Sequence, residues 1–363
     1  MRKQSAQVIT LKDVAKSTGF SLASVHRAIN GKGGVSQETR QAILSAAREM
    51  GYTTNLMASV LKRKQINIAI VFPQKDATGK YYFNYMWKGC QTYIEEIAGY
   101  QINFIEVPFK LSHSPEPEAD SQIRALEHTM LEWGGELDGL LTVPMENTPD
   151  MQRSIEPFIR AGVKVVLIDN DFPSSGRLCC IAPNDENTGR LSAELMCSMV
   201  HQQSGTILVA AGNAASSSHR MNAMGFADYV RTHRPELSVI TVNDVAHDLK
   251  PQMFYERMCD PDVVAAYSVR ARNTIPLCEA ALMLEARRKL LVLGSDLFDE
   301  SAEMLRRGVL KGIVYKNPYQ KAYQGLKVLV EQLINDKPPK SASLSVPISI
   351  IMRNNLMFFE EFI

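Results

Sequence analysis

At 363 residues, with 45% apolar and 22% charged side chains and a formal net charge of +1, the chain fits two or three compact units and can bury a sizeable core. No apolar run approaches the length that crosses a bilayer. Residues 1–8 start basic but lack the apolar core and cleavage site of a secretory signal, which points to the cytoplasm. The six cysteines show no paired metal-ligand spacing and read as reduced, packed thiols, so neither a metal nor a disulfide framework is expected. The charge is unevenly placed: residues 1–65 hold eleven Lys/Arg against three acids, +8, and the rest carries −7. A small basic segment ahead of a mildly acidic body is the electrostatic footprint of a nucleic-acid binder.

In chain order, Thr10-Leu11-Lys12-Asp13 forms a capping box, with Asp13 favoured at the positive helix end and Leu11, Val14 and Ala15 on one face. Gly19 suits a left-handed turn position after this first helix. Ser21 can cap a second helix running to about Asn30, with Leu22, Val25 and Ile29 spaced three to four apart. A third, capped by Ser36, runs from Gln37 to Met50 and turns Ile43, Leu44, Ala47 and Met50 inward before Gly51. A short helix, a glycine turn and a second short helix make a helix-turn-helix. Beyond Tyr52, Asn55 can cap a helix of about two turns, too short to be stable alone in water.

The segments Leu11-Lys12-Asp13-Val14-Ala15, Ser24-Val25-His26-Arg27-Ala28-Ile29-Asn30-Gly31, Val35-Ser36-Gln37-Glu38-Thr39-Arg40 and Met50-Gly51-Tyr52 resemble, in order, the headpiece of the lactose/galactose-repressor family. The resemblance implies that the second helix enters the major groove of a double-stranded operator. Leu22, Ala23 and Arg27 fall on positions that reach base edges; Thr10, Ser21, Ser24, His26 and Asn30 lie at or near the DNA backbone. An Arg guanidinium can read guanine in a bidentate way, worth about 1–3 kcal/mol of discrimination, whereas Leu22 and Ala23 offer apolar contact such as with a thymine methyl. The alternative for Arg27 is contact with a phosphate. His26 stands where the family has Ser. The family also places a hinge helix after the headpiece, two of which pack together in the minor groove. There Asn55 caps, Ala58 allows close helix approach, and Leu61 aligns with a wedge that kinks the duplex. Thr54 stands where the family has Pro.

From Ile66 the pattern changes to β-branched runs alternating with amphipathic helices. Ile66–Phe72, Ile102–Val107, Gly139–Val143, Val163–Ile168 and Cys179–Ile181 read as strands, with helices over Tyr85–Ala98, Ser121–Trp133 and Met151–Ala161 between them. The order repeats after Asn184. Such alternation predicts parallel sheets with crossover helices, and two lobes of this kind place strand ends around a cleft where ligands bind. No phosphate-cradling glycine motif, nucleophile elbow or metal-ligand cluster is present, so neither an enzyme nor a cofactor is expected. The helix Gln320–Ile334 is expected to pack back on the first lobe, and Val346–Ile351 to form a short strand.

Tyr82-Phe83-Asn84-Tyr85-Met86-Trp87-Lys88-Gly89, Leu167-Ile168-Asp169-Asn170-Asp171, Arg220 with Gly225-Phe226, Gly294-Ser295-Asp296 and Lys316-Asn317-Pro318-Tyr319-Gln320 resemble the periplasmic sugar-binding fold as joined to such headpieces. By that resemblance Tyr82 and Phe83 stack on the ligand. Asp169, Asn170, Arg220 and Asp296 hydrogen-bond its hydroxyls, and Arg270 and Lys316 line the same cleft. Those two cations hint at an acidic or phosphorylated ligand; surface exposure is the alternative for each. Trp87 reads as helix core.

The expected architecture is an all-α helix-turn-helix headpiece over residues 1–54, a hinge over 55–65, and an α/β two-lobed effector domain over 66–363. Its first lobe takes about 66–182 and 317–342, and its second about 183–316 and 343–363. The expected function is that of a sequence-specific transcription regulator, acting as a homodimer on an operator and controlled by a sugar or sugar derivative, with no membrane role. The alternatives are a solute-binding protein, or a regulator whose effector is a purine or a protein. Neither effector-driven release of DNA nor effector-driven binding is favoured by the sequence.

Overall fold

The computed structural model describes residues 11–29, 34–50, 65–75, 80–111, 118–244, 251–285 and 287–360. The calls on Thr10, Asn30, Asn55, Ala58 and Leu61 lie outside these residues. The N-terminal helices belong to one compact unit, and both sheets to another.

The first unit is built from α1 (Leu11–Thr18), α2 (Leu22–Ile29) and α3 (Gln37–Glu49). Two serines start the later helices: Ser21 Oγ accepts the Ser24 backbone N–H at 3.1 Å, and Ser36 Oγ accepts that of Thr39 at 3.2 Å. Gly19, at φ +72°, makes the turn, and its N–H returns to the Ala15 carbonyl at 2.9 Å. The helices close on a small core of Val14, Val25, Ala28, Ile43 and Ala47, with Phe20 and Val35 packed against it. Burying Val25 and Ala28 fixes the rotation of α2, which leaves Leu22, Ala23, His26 and Arg27 on its exposed side.

In the second unit the described strands form two six-stranded sheets. The first has the order β11-β5-β4-β3-β1-β2, with β1 (Ile66–Pro73), β2 (Ile102–Phe109), β3 (Gly139–Thr142), β4 (Lys164–Ile168), β5 (Cys179–Ile181) and β11 (Ser343–Leu344) all parallel. The second has the order β12-β10-β9-β8-β6-β7, from β6 (Gly205–Gly212), β7 (Leu237–Asn243), β8 (Val263–Ser268), β9 (Leu291–Ser295), β10 (Leu310–Tyr315) and β12 (Ser349–Ile351). Only β12 runs antiparallel to its neighbour. Central strands such as β1 and β3 are buried almost without a break, as expected where helices cover both faces of a parallel sheet.

Helices α4 (Phe83–Glu96), α5 (Glu118–Trp133) and α6 (Pro149–Arg160) connect the first sheet. Helices α7 (Asp185–Met199), α8 (Ser217–His233), α9 (Pro251–Met258), α10 (Ala271–Leu284) and α11 (Asp299–Arg306) belong to the second. Helix α12 (Pro318–Asn335) follows β10 but packs on α4, β3 and β4, so it belongs to the first lobe. Trp87 is core, 2% exposed, with its indole N–H on the Pro73 carbonyl at 2.8 Å.

The expected division of the lobes at residue 343 needs a correction. Ser343–Leu344 pairs in parallel with β5, so the chain leaves the first lobe only after Leu344. A two-residue strand has no periodicity to read, and its place is set by its partner. The expected strand Val346–Ile351 shortens to Ser349–Ile351. Helices α9 and α11 and strand β10 were not anticipated.

Candidate ligand cleft between two lobes

The cleft lies beyond the carboxyl ends of the strands of both sheets, where parallel α/β sheets bind ligands. An aspartate on each side follows a central strand. Asp169 comes after β4 and Asp296 after β9, and both adopt a left-handed backbone, at φ +63° and +61°. Few residues other than glycine tolerate this conformation, and Asp is one of them. The Asp169 N–H is held by the Ile181 carbonyl and that of Asp296 by the Val314 carbonyl, each at 3.0 Å.

Each aspartate has a lysine. In the first lobe, Lys321 in the first turn of α12 donates to Asp169 Oδ1 at 2.5 Å and to the Tyr82 hydroxyl, which donates in turn to Asp169 Oδ2 at 2.5 Å. Burial, then the Asp169 charge, pushes the Tyr82 phenol well above its ordinary range. In the second lobe, the Lys316 backbone N–H donates to Asp296 Oδ1 at 3.0 Å, and its ammonium donates to the Val269 carbonyl at 2.9 Å. That ammonium stands 3.4 Å from Asp296 Oδ2, which is buried and has no hydrogen-bond partner among the described residues. An unsatisfied buried acceptor on a cleft wall is a place for a ligand donor.

Of the expected ligand residues, Tyr82, Phe83, Asp169, Asn170, Arg270, Asp296 and Lys316 all line the cleft. Arg220 does not. Its guanidinium bonds the Ala214 carbonyl at 2.8 Å and lines a separate groove with Met224 and Thr241. The reason is helical rotation: Ser218 and His219 take the cleft-facing side of α8, and the next residue turns away by about 100°. The hint of an acidic ligand also weakens, because Arg270 is committed to Asp244 at 2.9 Å and Lys316 to Asp296 and Val269.

Asn170 bridges the lobes. Its amide N–H donates to Pro144 O at 2.7 Å, and its Oδ1 accepts from Ser216 Oγ, Ser217 Oγ and the Ser218 N–H at 3.1–3.2 Å. All three donors lie at the start of α8 in the other lobe. Beside it, Asn147 exchanges bonds with Ser217 N and the Ala215 carbonyl at 2.8 and 2.9 Å, and Glu146 accepts from Asn213 at 3.1 Å. On the opposite side, Lys80 pairs with Glu300, and the Tyr81 and Phe298 rings meet at 4.6 Å. The lobes are therefore closed on each other.

Sequence reasoning missed Lys321, His219, Asn147 and the Ser216–Ser218 run. A signal existed for two of them. Asn317-Pro318 marks a helix start that puts Lys321 in the first turn, and Ser216 is a visible N-cap, its Oγ accepting the His219 N–H. Asp185, at the start of α7, was also missed. Its carboxyl faces Asp169, Lys321, Lys316 and Ser218; burial, then the Asp169 charge, raises it to about 7.

Two parallel α/β lobes closed on a polar cleft define a clamshell of the periplasmic-binding type. The same fold is seen in GanP, a glucose-galactose binding protein from Geobacillus stearothermophilus, at TM-score 0.67 and 19% identity, covering 81% of this chain and 99% of that one. It recurs in a solute binding protein from Burkholderia graminis solved with D-arabinose, at TM-score 0.68 and 18% identity over 81% and 97%. The chain belongs to the periplasmic binding protein domain family, matched over residues 68–337, and residues 10–55 ahead of it match the bacterial regulatory proteins, lacI family. The HTH-type transcriptional regulator DegA of Bacillus subtilis (strain 168) is 24% identical over 218 residues, 60% of this chain and 59% of that one. The chain spans about half the length of the curated relatives it matches.

Proposed function

We propose that the chain is a sequence-specific DNA-binding transcription regulator of the cytoplasm, acting as a homodimer on a pseudo-palindromic operator and governed by a sugar or sugar derivative held in the cleft. The observation that carries this reading is the exposed side of α2, where Leu22, Ala23, His26 and Arg27 face away from the buried Val25 and Ala28. A helix rotated by its own core to present an arginine and two apolar side chains suits a major groove. Ser21 and Ser24, at the start of the same helix, suit phosphate contact. The hinge reading of Asn55, Ala58 and Leu61 completes the proposal from sequence.

In the cleft, Asp296 Oδ2 would take a ligand hydroxyl, with Tyr82 and Phe83 flanking a sugar ring. Asn170 acts as a latch between lobes rather than as a primary ligand contact. Closure would then be the element that ligand biases, through its differential affinity for the closed and open forms.

Selection of the full chain against a randomised duplex library, followed by anisotropy titration, tests the reading. A single two-half-site sequence is expected, with Arg27→Ala losing about tenfold or more of its preference at one position in each half-site. Equal binding of all duplexes would remove the DNA-reading role.

A further inference from the structure

Lys321 has no role in the sequence reading, yet its side chain is almost wholly buried, 1% exposed, on the cleft wall. Two of its three N–H groups are used, on Asp169 and on Tyr82. The Asp169 carboxylate in turn has one oxygen on the ammonium and the other on the Tyr82 hydroxyl. Its charge is therefore matched inside the protein. The same holds across the cleft for Asp296 with Lys316 and for Arg270 with Asp244. These three pairs match their charges inside the protein, and the acid beside them, Asp185, is raised by burial to about 7 and is mostly neutral below that pH. A charged ligand entering there loses its hydration without meeting an unmatched counter-charge. A hydroxyl loses little, since it can donate to Asp296 Oδ2.

We propose that Lys321 sets the charge class of the ligand. Paired with Asp169, it makes the cleft selective for an uncharged polyhydroxyl ring; without it, the same cleft turns toward a cationic amino sugar. This rests on the reading of the cleft as a sugar site. Arg272 and His219, which line the second-lobe side, are the groups an anionic ligand would have to use, so the test includes anions.

The full chain, with Lys321→Met, Asp169→Asn and the double variant, is titrated calorimetrically with four sugar sets. These are neutral aldoses (glucose, galactose, arabinose, ribose), the 2-amino hexoses, the uronates and the sugar 6-phosphates. The unsubstituted chain should bind a neutral sugar about tenfold or more tighter than its charged counterparts, the scale of one hydrogen bond to a charged group. Lys321→Met should invert the order in favour of the amino sugar. Asp169→Asn should shift it toward the uronate, and the double variant should restore the neutral preference. If Lys321→Met does not melt cooperatively, Lys321→Gln, which removes the charge and keeps a donor, carries the test with the same expected inversion. A double variant that prefers a charged sugar overturns the proposal. Sugars that bind with the same ranking in all four proteins overturn the role of Lys321 and leave the sugar site standing. An unsubstituted chain that binds no member of any set overturns the sugar reading, and the proposal with it.

Discussion

The two lobes carry the same device and finish it differently. Each turns an aspartate into the cleft from a left-handed position after a central strand, and each sets a lysine beside it. In the first lobe the carboxylate is saturated by Lys321 and Tyr82. In the second, one oxygen of Asp296 is left over, and Lys316 leans on a backbone carbonyl. A saturated pair serves structure, whereas an unsaturated one is available to a ligand. The lysines are five residues apart, Lys316 just after β10 and Lys321 in the first turn of α12, so one short stretch of chain holds the acid of each lobe.

The largest expected effect breaks the saturated side. Asp169→Ala leaves Lys321 buried with only the Tyr82 hydroxyl, and should cost the effector unit about 3–5 kcal/mol in urea unfolding. Asp296→Ala should cost less, about 1–2 kcal/mol, because Lys316 keeps the Val269 carbonyl. Equal costs would break the comparison. Next comes the latch: Asn170→Ala strands two hydroxyls and an N–H at the start of α8. It should weaken closure by about 1–3 kcal/mol, read as a larger radius of gyration in small-angle scattering without ligand.

A smaller effect follows from Asp185. Its folded pKa of about 7 lies above the ordinary carboxyl value, so the folded protein keeps a proton that the unfolded chain has released. Stability should therefore fall as pH rises from the ordinary carboxyl range to about 7 and level off above it. Asp185→Asn should flatten that fall, raising the melting temperature at pH 8 more than at pH 5. The smallest effect is at Arg220, which is turned out of the cleft; Arg220→Ala should change ligand affinity and stability by no more than about 0.5 kcal/mol.

What was legible in the sequence was local. Ser21 and Ser36 announce their helices, and Val14, Val25, Ile43 and Ala47 fall at helical spacing, so the three-helix unit could be read almost residue by residue. The alternation of strands and helices likewise predicted two lobes, and the expected strand Val163–Ile168 set Asp169 at a strand end. The rest depends on meetings between distant segments. Asn170 and Ser216 are 46 positions apart, and Tyr82 and Lys321 are 239 apart. No spacing rule joins such pairs. Ser343–Leu344 went to the other lobe for the same reason, and Arg220 shows that one step along a helix is enough to leave a site.

The most direct test of the whole account couples its two ends. The selected duplex is titrated by anisotropy with the full chain, with and without a saturating sugar found by calorimetry, and again with Asp296→Ala. The account predicts that the sugar changes duplex affinity severalfold, and that Asp296→Ala abolishes the change while sugar-free affinity stays near that of the unsubstituted chain. Duplex affinity that stays the same with the cleft occupied would contradict it.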